Sequence, residues 1–418
     1  MTKQPSYRFT GLEDDWKEVK LGEVFDIVTD YVANGSFESL RNNVKTYEKD
    51  NFAYMIRLQD ASNSWKGPWL YTDEKGYNFL SKSRLFKDDI LMSNVGTVGR
   101  FFQVPELDRP MTLAPNSVLI RSTSSNNQFL YFMMLTANIQ DQIAMRKTPG
   151  VQDKINKTDF KKVIATLPSL LEQTAIGSFF QDIDQLISLQ QRKLEVLKEQ
   201  KKTYLKLLFP AKGQTKPALR FAGFEDEWKE VKLGEVGETY TGLSGKTKED
   251  FGHGEGKFIT YVNVFNNPLT DLYGLDSIEI DDKQRRVQYG DVLFTTSSET
   301  PEDVGLSSVW MGTEDNVYLN SFCFGYRPQK GIFDLYYLAF VLRSFSVRKE
   351  FMLLAQGISR FNISKTKVMD MSIHVPSLPE QEAIGSFFQD LDKAIAKQEE
   401  KVNQLKESKQ TLLRKMFI

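Results

Sequence analysis

The sequence predicts an α+β protein: two mixed α/β domains joined by two long helices that form an antiparallel coiled coil, related by a pseudo-twofold internal repeat. Three observations predict it. Residues 8–24 return 212 positions later as 220–236, identical at 14 of 17 places. Residues 168–184 return 208 positions later as 376–392, again identical at 14 of 17. Residues 25–167 and 237–375, which these echoes bracket, barely resemble one another. A surface presented twice suits one kind of partner bound twice, and two unlike regions suit two unlike ligands.

At 418 residues the chain exceeds one ordinary core, and the repeat sets two halves. The divisions read from it are a first domain over 1–167, a first long helix over 168–210, a linker over 211–217, a second domain over 218–375 and a second long helix over 376–418. Lys and Arg number 54 against 55 acidic residues, which argues against a histone-like protein with a basic field over its whole surface. Cys323 is the one cysteine, so no internal disulfide forms, and Met1-Thr2-Lys3-Gln4-Pro5 lacks an apolar signal core. No run approaches the roughly 18 apolar residues of a membrane span. The expectation is a soluble cytoplasmic protein without membrane contact.

Each half begins on an alternating segment, Trp16-Lys17-Glu18-Val19-Lys20 or Trp228-Lys229-Glu230-Val231-Lys232, read as a strand with a charged face. Within the variable regions, 53–58, 89–92, 118–120 and 291–295 read as strands, and 128–146 and 333–354 as amphipathic helices. The long helices open on Ser169-Leu170-Leu171-Glu172 and Ser377-Leu378-Pro379-Glu380, both fitting a capping box in which glutamate reaches back to the serine N–H. Steps of four and three give a seam of Ile176, Phe180, Ile183, Ile187, Gln190, Leu194, Leu197, Lys201, Tyr204 and Leu208. The second seam is Ile384, Phe388, Leu391, Ile395, Gln398, Val402, Leu405, Lys409, Leu412 and Met416, polar at the same steps. A heptad stripe sustained this long favours a coiled coil, although each helix packing on its own half is the plainer alternative. From 176 to 208 such a helix measures roughly 50 Å at about 1.5 Å per residue. Pro210 stops the first helix.

Catalytic motifs fail on spacing. Gly242-Leu243-Ser244-Gly245-Lys246-Thr247 suggests a phosphate loop, but Tyr240 stands where the first glycine belongs. With His253, His374 and one cysteine there is no zinc-type ligand set, so no metal site is expected. Glu18-Val19-Lys20 echoes half a nuclease site yet reads better as a salt-paired strand face. Asn266-Asn267-Pro268-Leu269 misses the tetrad of adenine methyltransferases. No catalytic residue is assigned.

The order of variable region, Pro-Ser-Leu-x-Glu-Gln-x-Ala-Ile-Gly, long helix, linker, and the same again resembles the DNA specificity subunit of type I restriction-modification systems, across essentially the whole chain. Further local matches are Trp-Lys-Glu-Val-Lys-Leu-Gly-Glu before each variable region and a [Gly/Asp]-Asp-[Ile/Val]-Leu strand followed by a polar loop. The resemblance implies a chain without catalysis, whose two target recognition domains each read half of a split, nonpalindromic site on double-stranded DNA. It implies docking of two modification subunits that methylate adenine, and of restriction subunits that cut. S-adenosylmethionine, ATP and Mg would then belong to those partners, with no cofactor bound by this chain. A self-contained DNA methyltransferase or nuclease with fused recognition domains, and a coiled-coil scaffold with no DNA role, stay as alternatives.

Base reading wants Arg or Lys for guanine, Asn or Gln for adenine, and Ser or Thr as adaptable donors. On that chemistry the candidates in the first half are Arg57, Asn63, Ser93, Asn94, Thr97, Arg100, Lys147, Gln152 and Lys154. In the second half they are Lys246, Asn263, Thr295, Thr296, Ser297, Ser298, Gln356, Ser359 and Arg360. For each, a solvated surface position is the alternative. The repeated helix starts supply candidates for binding the protein partner: Glu172, Gln173, Ile176, Phe179 and Phe180, and Glu380, Gln381, Ile384, Phe387 and Phe388. Phe179 and Phe387 fall beside the seam and suit either domain packing or a partner.

Overall fold

The computed structural model describes residues 4–418. Met1, Thr2 and Lys3 lie outside the described residues, and the reading of the opening residues as leaderless falls partly on them. Two units emerge, Met1–Gln190 with Lys401–Ile418, and Gln191–Glu400. The division runs through both long helices, so each unit holds one variable region, the start of the helix that follows it and the end of the other helix.

In the first unit Lys17–Lys20 pairs antiparallel with Ile164–Leu167, drawing both ends of the variable region to the start of the long helix. Between them lies an antiparallel sheet ordered Ile27–Asp30, Val118–Arg121, Ile90–Met92, Phe101–Gln103. A second sheet is ordered Tyr71–Thr72, Ala53–Ile56, Met111–Leu113, Arg84–Leu85, its two central strands parallel. Side chains alternate between the faces of a strand. Leu91 and Leu119 therefore pack toward the second sheet with Tyr54, Ile56 and Leu113. Ile90, Met92, Val118 and Ile120 pack the other way, on the helices. Both faces are covered, which is why the sequence runs there are continuously apolar.

The second unit repeats this plan with unlike residues. Lys229–Lys232 pairs with Ser372–Val375, and the antiparallel sheet is ordered Gly237–Thr241, Cys323–Pro328, Val292–Thr295, Ser307–Val309. The mixed sheet holds Leu275–Ile278, Phe251–Ile259 and Val317–Leu319, the last two parallel. The Asp of the [Gly/Asp]-Asp-[Ile/Val]-Leu pattern is structural in both units. Buried Asp89 takes Nε and Nη2 of Arg121 from the neighbouring strand, and buried Asp291 takes the same two atoms of Arg327.

The expected helices over 128–146 and 333–354 each break in two. Asn127–Met134 is followed by Ala137–Arg146, and Leu335–Val341 by Phe345–Leu354. Extended backbone at Thr136 and Ser344 starts a new helix at each break. Thr136 Oγ1 donates back to Met133 O, and the Arg343 guanidinium donates to the carbonyls of Ser307, Val264, Phe265 and Asn267. Apolar periodicity survives such a break, so periodicity alone could not reveal it.

The long helices span Leu170–Leu207 and Leu378–Met416. Every predicted seam residue is buried or half-buried, while Lys193, Lys198, Lys202, Lys397, Lys401 and Lys406 beside the seam are exposed. Pairing within each unit is antiparallel. In the first, Phe180 meets the Phe417 ring at 5.8 Å and Asp184 accepts from Lys409 at 2.5 Å. In the second, Lys198 pairs with Glu399 at 2.5 Å, Lys201 with Asp392 at 2.6 Å, and Tyr204 with the Phe387 ring at 5.0 Å. The seam lysines are thus neutralised by the facing helix, and each also lies over an aromatic ring, Lys409 over Phe132 and Lys201 over Phe340. The expected capping boxes do not close. Ser169 Oγ accepts from Glu172 N at 3.5 Å, but both glutamate side chains turn away to arginines.

Candidate nucleic-acid interface

The repeated blocks are repeated because they hold each other. Arg8 donates through Nε and Nη2 to the two carboxylate oxygens of Glu172 at 2.8 and 2.6 Å, and Arg220 does the same to Glu380 at 2.7 and 2.8 Å. Both glutamates are buried, at 0% and 1% exposure, and the carboxylates hold the arginines firmly in their charged form. One residue on, Phe9 packs edge-on against Phe179, and Phe221 against Phe387. Gln173 donates to Pro168 O and accepts from Asn126 N; Gln381 donates to Pro376 O and accepts from Asp334 N. A Cβ on Gly177 would come within 2.8 Å of Phe129 N, and one on Gly385 within 2.8 Å of Tyr337 N, so the glycine of Ala-Ile-Gly lets a helix of the variable region start against the long helix.

This corrects the partner candidates. Glu172, Gln173, Ile176, Phe180, Glu380, Gln381, Ile384 and Phe388 are buried and spoken for within their own unit, so their side chains do not form a docking surface. Phe179 and Phe387 are half-buried, and their off-seam position is explained by packing on Phe9 and on Phe221. Phe417 and Phe209 were missed by sequence reasoning. Phe417 stacks on Phe129 and Phe209 lies 5.9 Å from Tyr337, each plugging the core of its unit beside Trp16 or Trp228. Phe209 and Phe417 are 208 positions apart, as are Phe129 and Tyr337, so the repeat spacing could have found them.

The DNA candidates separate into those the fold gathers and those it consumes. In the first unit the loop after Ile90–Met92 meets a hairpin that follows Ala137–Arg146. Gly96 N donates to Asp153 O, Ile155 N to Asn94 O, and Val95 bridges Lys154. The hairpin closes by paired hydrogen bonds between Thr148 and Lys154, leaving residues 149–153 as its tip. Asn94, Thr97, Arg100, Lys147, Gln152 and Lys154 therefore share one surface, with Lys147 paired to Asp153 at 2.7 Å. In the second unit Ser297–Ser298 pairs with Phe361–Asn362, and a hairpin closed between Gln356 and Asn362 leaves 357–361 as its tip. That gathers Thr296, Ser297, Ser298, Gln356, Ser359 and Arg360 at the position corresponding to the first surface. Beside it an open cleft of about 410 Å³ is lined by Tyr261, Phe265, Ser297, Thr300, Phe322 and Arg360.

The remaining candidates are buried or already have internal partners. Arg57 donates to Asp60 and to Pro68 O, bracing a turn, and Asn63 donates to Gly67 O in the same turn. Ser93 is 5% exposed and donates to Val95 O. Lys246 lies 2.9 Å from Asp281 and 3.9 Å from Asp250, and the Asp281 hydrogen bond raises its pKa, so its charge is already matched. Asn263 is 6% exposed and donates to the carbonyls of Asp271 and Gly274. Thr295 is fully buried. Among the described residues no cluster of three or more His, Cys, Asp or Glu is placed to hold a metal. No helix among them is long and apolar enough to cross a membrane.

Residues 13–199 and 225–407 each match the family model described as the type I restriction modification DNA specificity domain. A Methanocaldococcus jannaschii protein provisionally named the type I restriction enzyme MjaX specificity subunit is 24% identical over 434 aligned positions, covering 96% of this chain and 95% of that one. Among solved structures, a type I restriction-modification S subunit from M. genitalium matches with a TM-score of 0.54 at 13% identity, covering 100% of this chain and 99% of that one. A structure described as the basis of complex assembly and conformational transition of the type I R-M system matches with a TM-score of 0.57 at 18% identity, covering 97% and 98%. At those identities the structural likeness speaks for the fold.

Proposed function

Because the chain belongs to the type I restriction modification DNA specificity family, whose members are non-catalytic DNA-recognition subunits, we propose that it reads a bipartite, nonpalindromic site on double-stranded DNA, one half with each variable region. The reading surface of the first half is the loop 94–100 with the hairpin 147–154, and that of the second is the strand 296–298 with the hairpin 356–360. Two modification subunits then methylate adenine within the site using S-adenosylmethionine, and restriction subunits with ATP and Mg cut DNA lacking that mark. The divisions at 167, 210, 217 and 375 give the recognition domains, long helices and linker of this arrangement. The paired helices set the distance between half-sites.

One observation carries the reading: two units share a clasp, a sheet order and a hairpin position to the residue, yet place unlike polar side chains at that hairpin. A scaffold kept constant under changing loops is what two different sequences read by one mechanism require. Sequencing methylated adenines at single-molecule level in cells with and without the chain tests it. A split motif should vanish on deletion, and exchange of 25–167 for another such region should alter one half of the motif alone. Unchanged methylation in both experiments refutes the proposal.

A further inference from the structure

The two hairpin tips share a feature that base-reading polar chemistry does not use. Val151 and Ile358 are fully exposed aliphatic side chains, at 108% and 98%, where most residues of their size are at least partly covered. Each sits in a five-residue tip, 149–153 or 357–361, closed by the same pair of backbone hydrogen bonds. Gly357 at φ 142° holds the second tip in a shape that a side chain at that position would block against Arg360 O. The variable regions have kept little else in common, so an uncovered aliphatic at corresponding tips points to a shared contact.

The surroundings name the occupant. Residues 146–157 hold Arg146, Lys147, Lys154 and Lys157, of which Lys147 is paired with Asp153 and Lys157 with Asp30, each at 2.7 Å, and 356–367 hold Arg360, Lys365 and Lys367 with no acid. The whole chain has a net charge of −1, so these are locally basic collars around an apolar point. Basic residues bind phosphates, and an apolar tip between them meets what lies between phosphate rows: the base edges and the stack. A hairpin is also narrow enough to enter a groove.

Resting on the DNA-reading function above, we propose that Val151 and Ile358 are base-contacting probes, each placing an apolar side chain against a base of its half-site. The contacted surface is a thymine methyl or an exposed face of the base stack. The test uses the chain assembled with its modification subunits and a duplex carrying the methylated motif. Val151→Ser and Ile358→Ser should each weaken binding about tenfold, in line with the loss of one buried aliphatic contact. Both side chains are exposed, so neither change disturbs the core, and assembly without DNA should match the wild type.

Replacing thymines one at a time by deoxyuridine reads the methyl contact: one position should weaken the wild type and leave the matching serine variant indifferent. 2-Aminopurine placed stepwise reads insertion into the stack, brightening with the wild type and not with the variant. Binding within twofold of wild type for both variants, or loss with identical deoxyuridine and 2-aminopurine responses, overturns the proposal. Weakened assembly without DNA would instead assign the tips to a protein contact. If no split motif exists at all, the functional reading itself fails and takes this proposal with it.

Discussion

Removing Arg8 should cost the first unit more than its half-buried position suggests. The Arg8 side chain is 16% exposed and Glu172 is 0% exposed. Arg8→Ala therefore leaves a carboxylate inside with no cation and two unmet acceptor positions, and breaking a buried pair this way costs about 3–5 kcal/mol. Glu172→Gln is milder: the neutral amide still accepts one hydrogen bond, Arg8 can turn to solvent and keep its bond to Asp14 O, and about 1–3 kcal/mol is expected. Urea unfolding with hydrogen exchange resolved to each unit measures both. With m of about 2 kcal/mol/M, the Arg8→Ala midpoint should fall by about 1.5–2.5 M and the Glu172→Gln midpoint by about 0.5–1.5 M. Arg220→Ala supplies a replicate within the same chain, because Glu380 is 1% exposed and equally forked. A fall below about 0.5 M in either unit, or a Glu172→Gln effect exceeding that of Arg8→Ala, would refute the assignment of the clasp as a desolvated ion pair.

Other consequences are measurable in the same preparations. Seven residues inserted into each long helix add about 10 Å, and methylome sequencing should show the half-sites separated by about three more base pairs; an unchanged spacer removes the helices as the ruler. Arg343→Ala strands the carbonyls of Ser307, Val264, Phe265 and Asn267 and should destabilise the second unit by about 2–4 kcal/mol, read as a lower urea midpoint there with the first unit unmoved. Burial pushes the Cys323 thiol up to about 12, so at pH 8 its thiolate fraction is about one in ten thousand. Aromatic disulfide reagents should label it only at the rate at which the second unit opens, and rapid labelling of native protein would contradict its burial.

The features legible in the sequence were those with long-range periodicity or duplication. The heptad stripe located the helix pair, though the helices begin six residues before it at Leu170 and Leu378, since burial at every third or fourth position is the same condition whether the partner is a helix or a domain. Duplication located the clasp without revealing its sense. Identical copies of Glu172 and Glu380 are required equally by an outside partner and by an inside arginine, and only coordinates place Arg8 and Arg220 against them. The candidate surface was half legible for a similar reason. Composition selects polar residues able to read bases, but Asn263 and Lys246 show the same chemistry spent on a turn and on a matched charge. What separates them from Gln152 or Arg360 is a hairpin closure 50 or more residues from the loop it meets, and no local pattern encodes that.

The clasp also explains why so much of the repeat is invariant while the variable regions differ. Arg8, Phe9, Glu172, Gln173, Gly177 and Phe179 touch one another or the start of the helix Asn127–Met134, so a change at one strands a buried group at another. Compensation would need coordinated substitutions in blocks more than 150 residues apart. Apart from Gly357, where a Cβ would collide with Arg360 O, the hairpin tips carry no such constraint: their closure is made by backbone hydrogen bonds that accept other side chains, as Thr148 with Lys154 and Gln356 with Asn362 demonstrate. Substitution at the tips is therefore cheap for folding, whereas substitution in the clasp is expensive. A chain under pressure to change its DNA target while keeping its assembly would diverge at the first and hold the second, which is the pattern of the two halves.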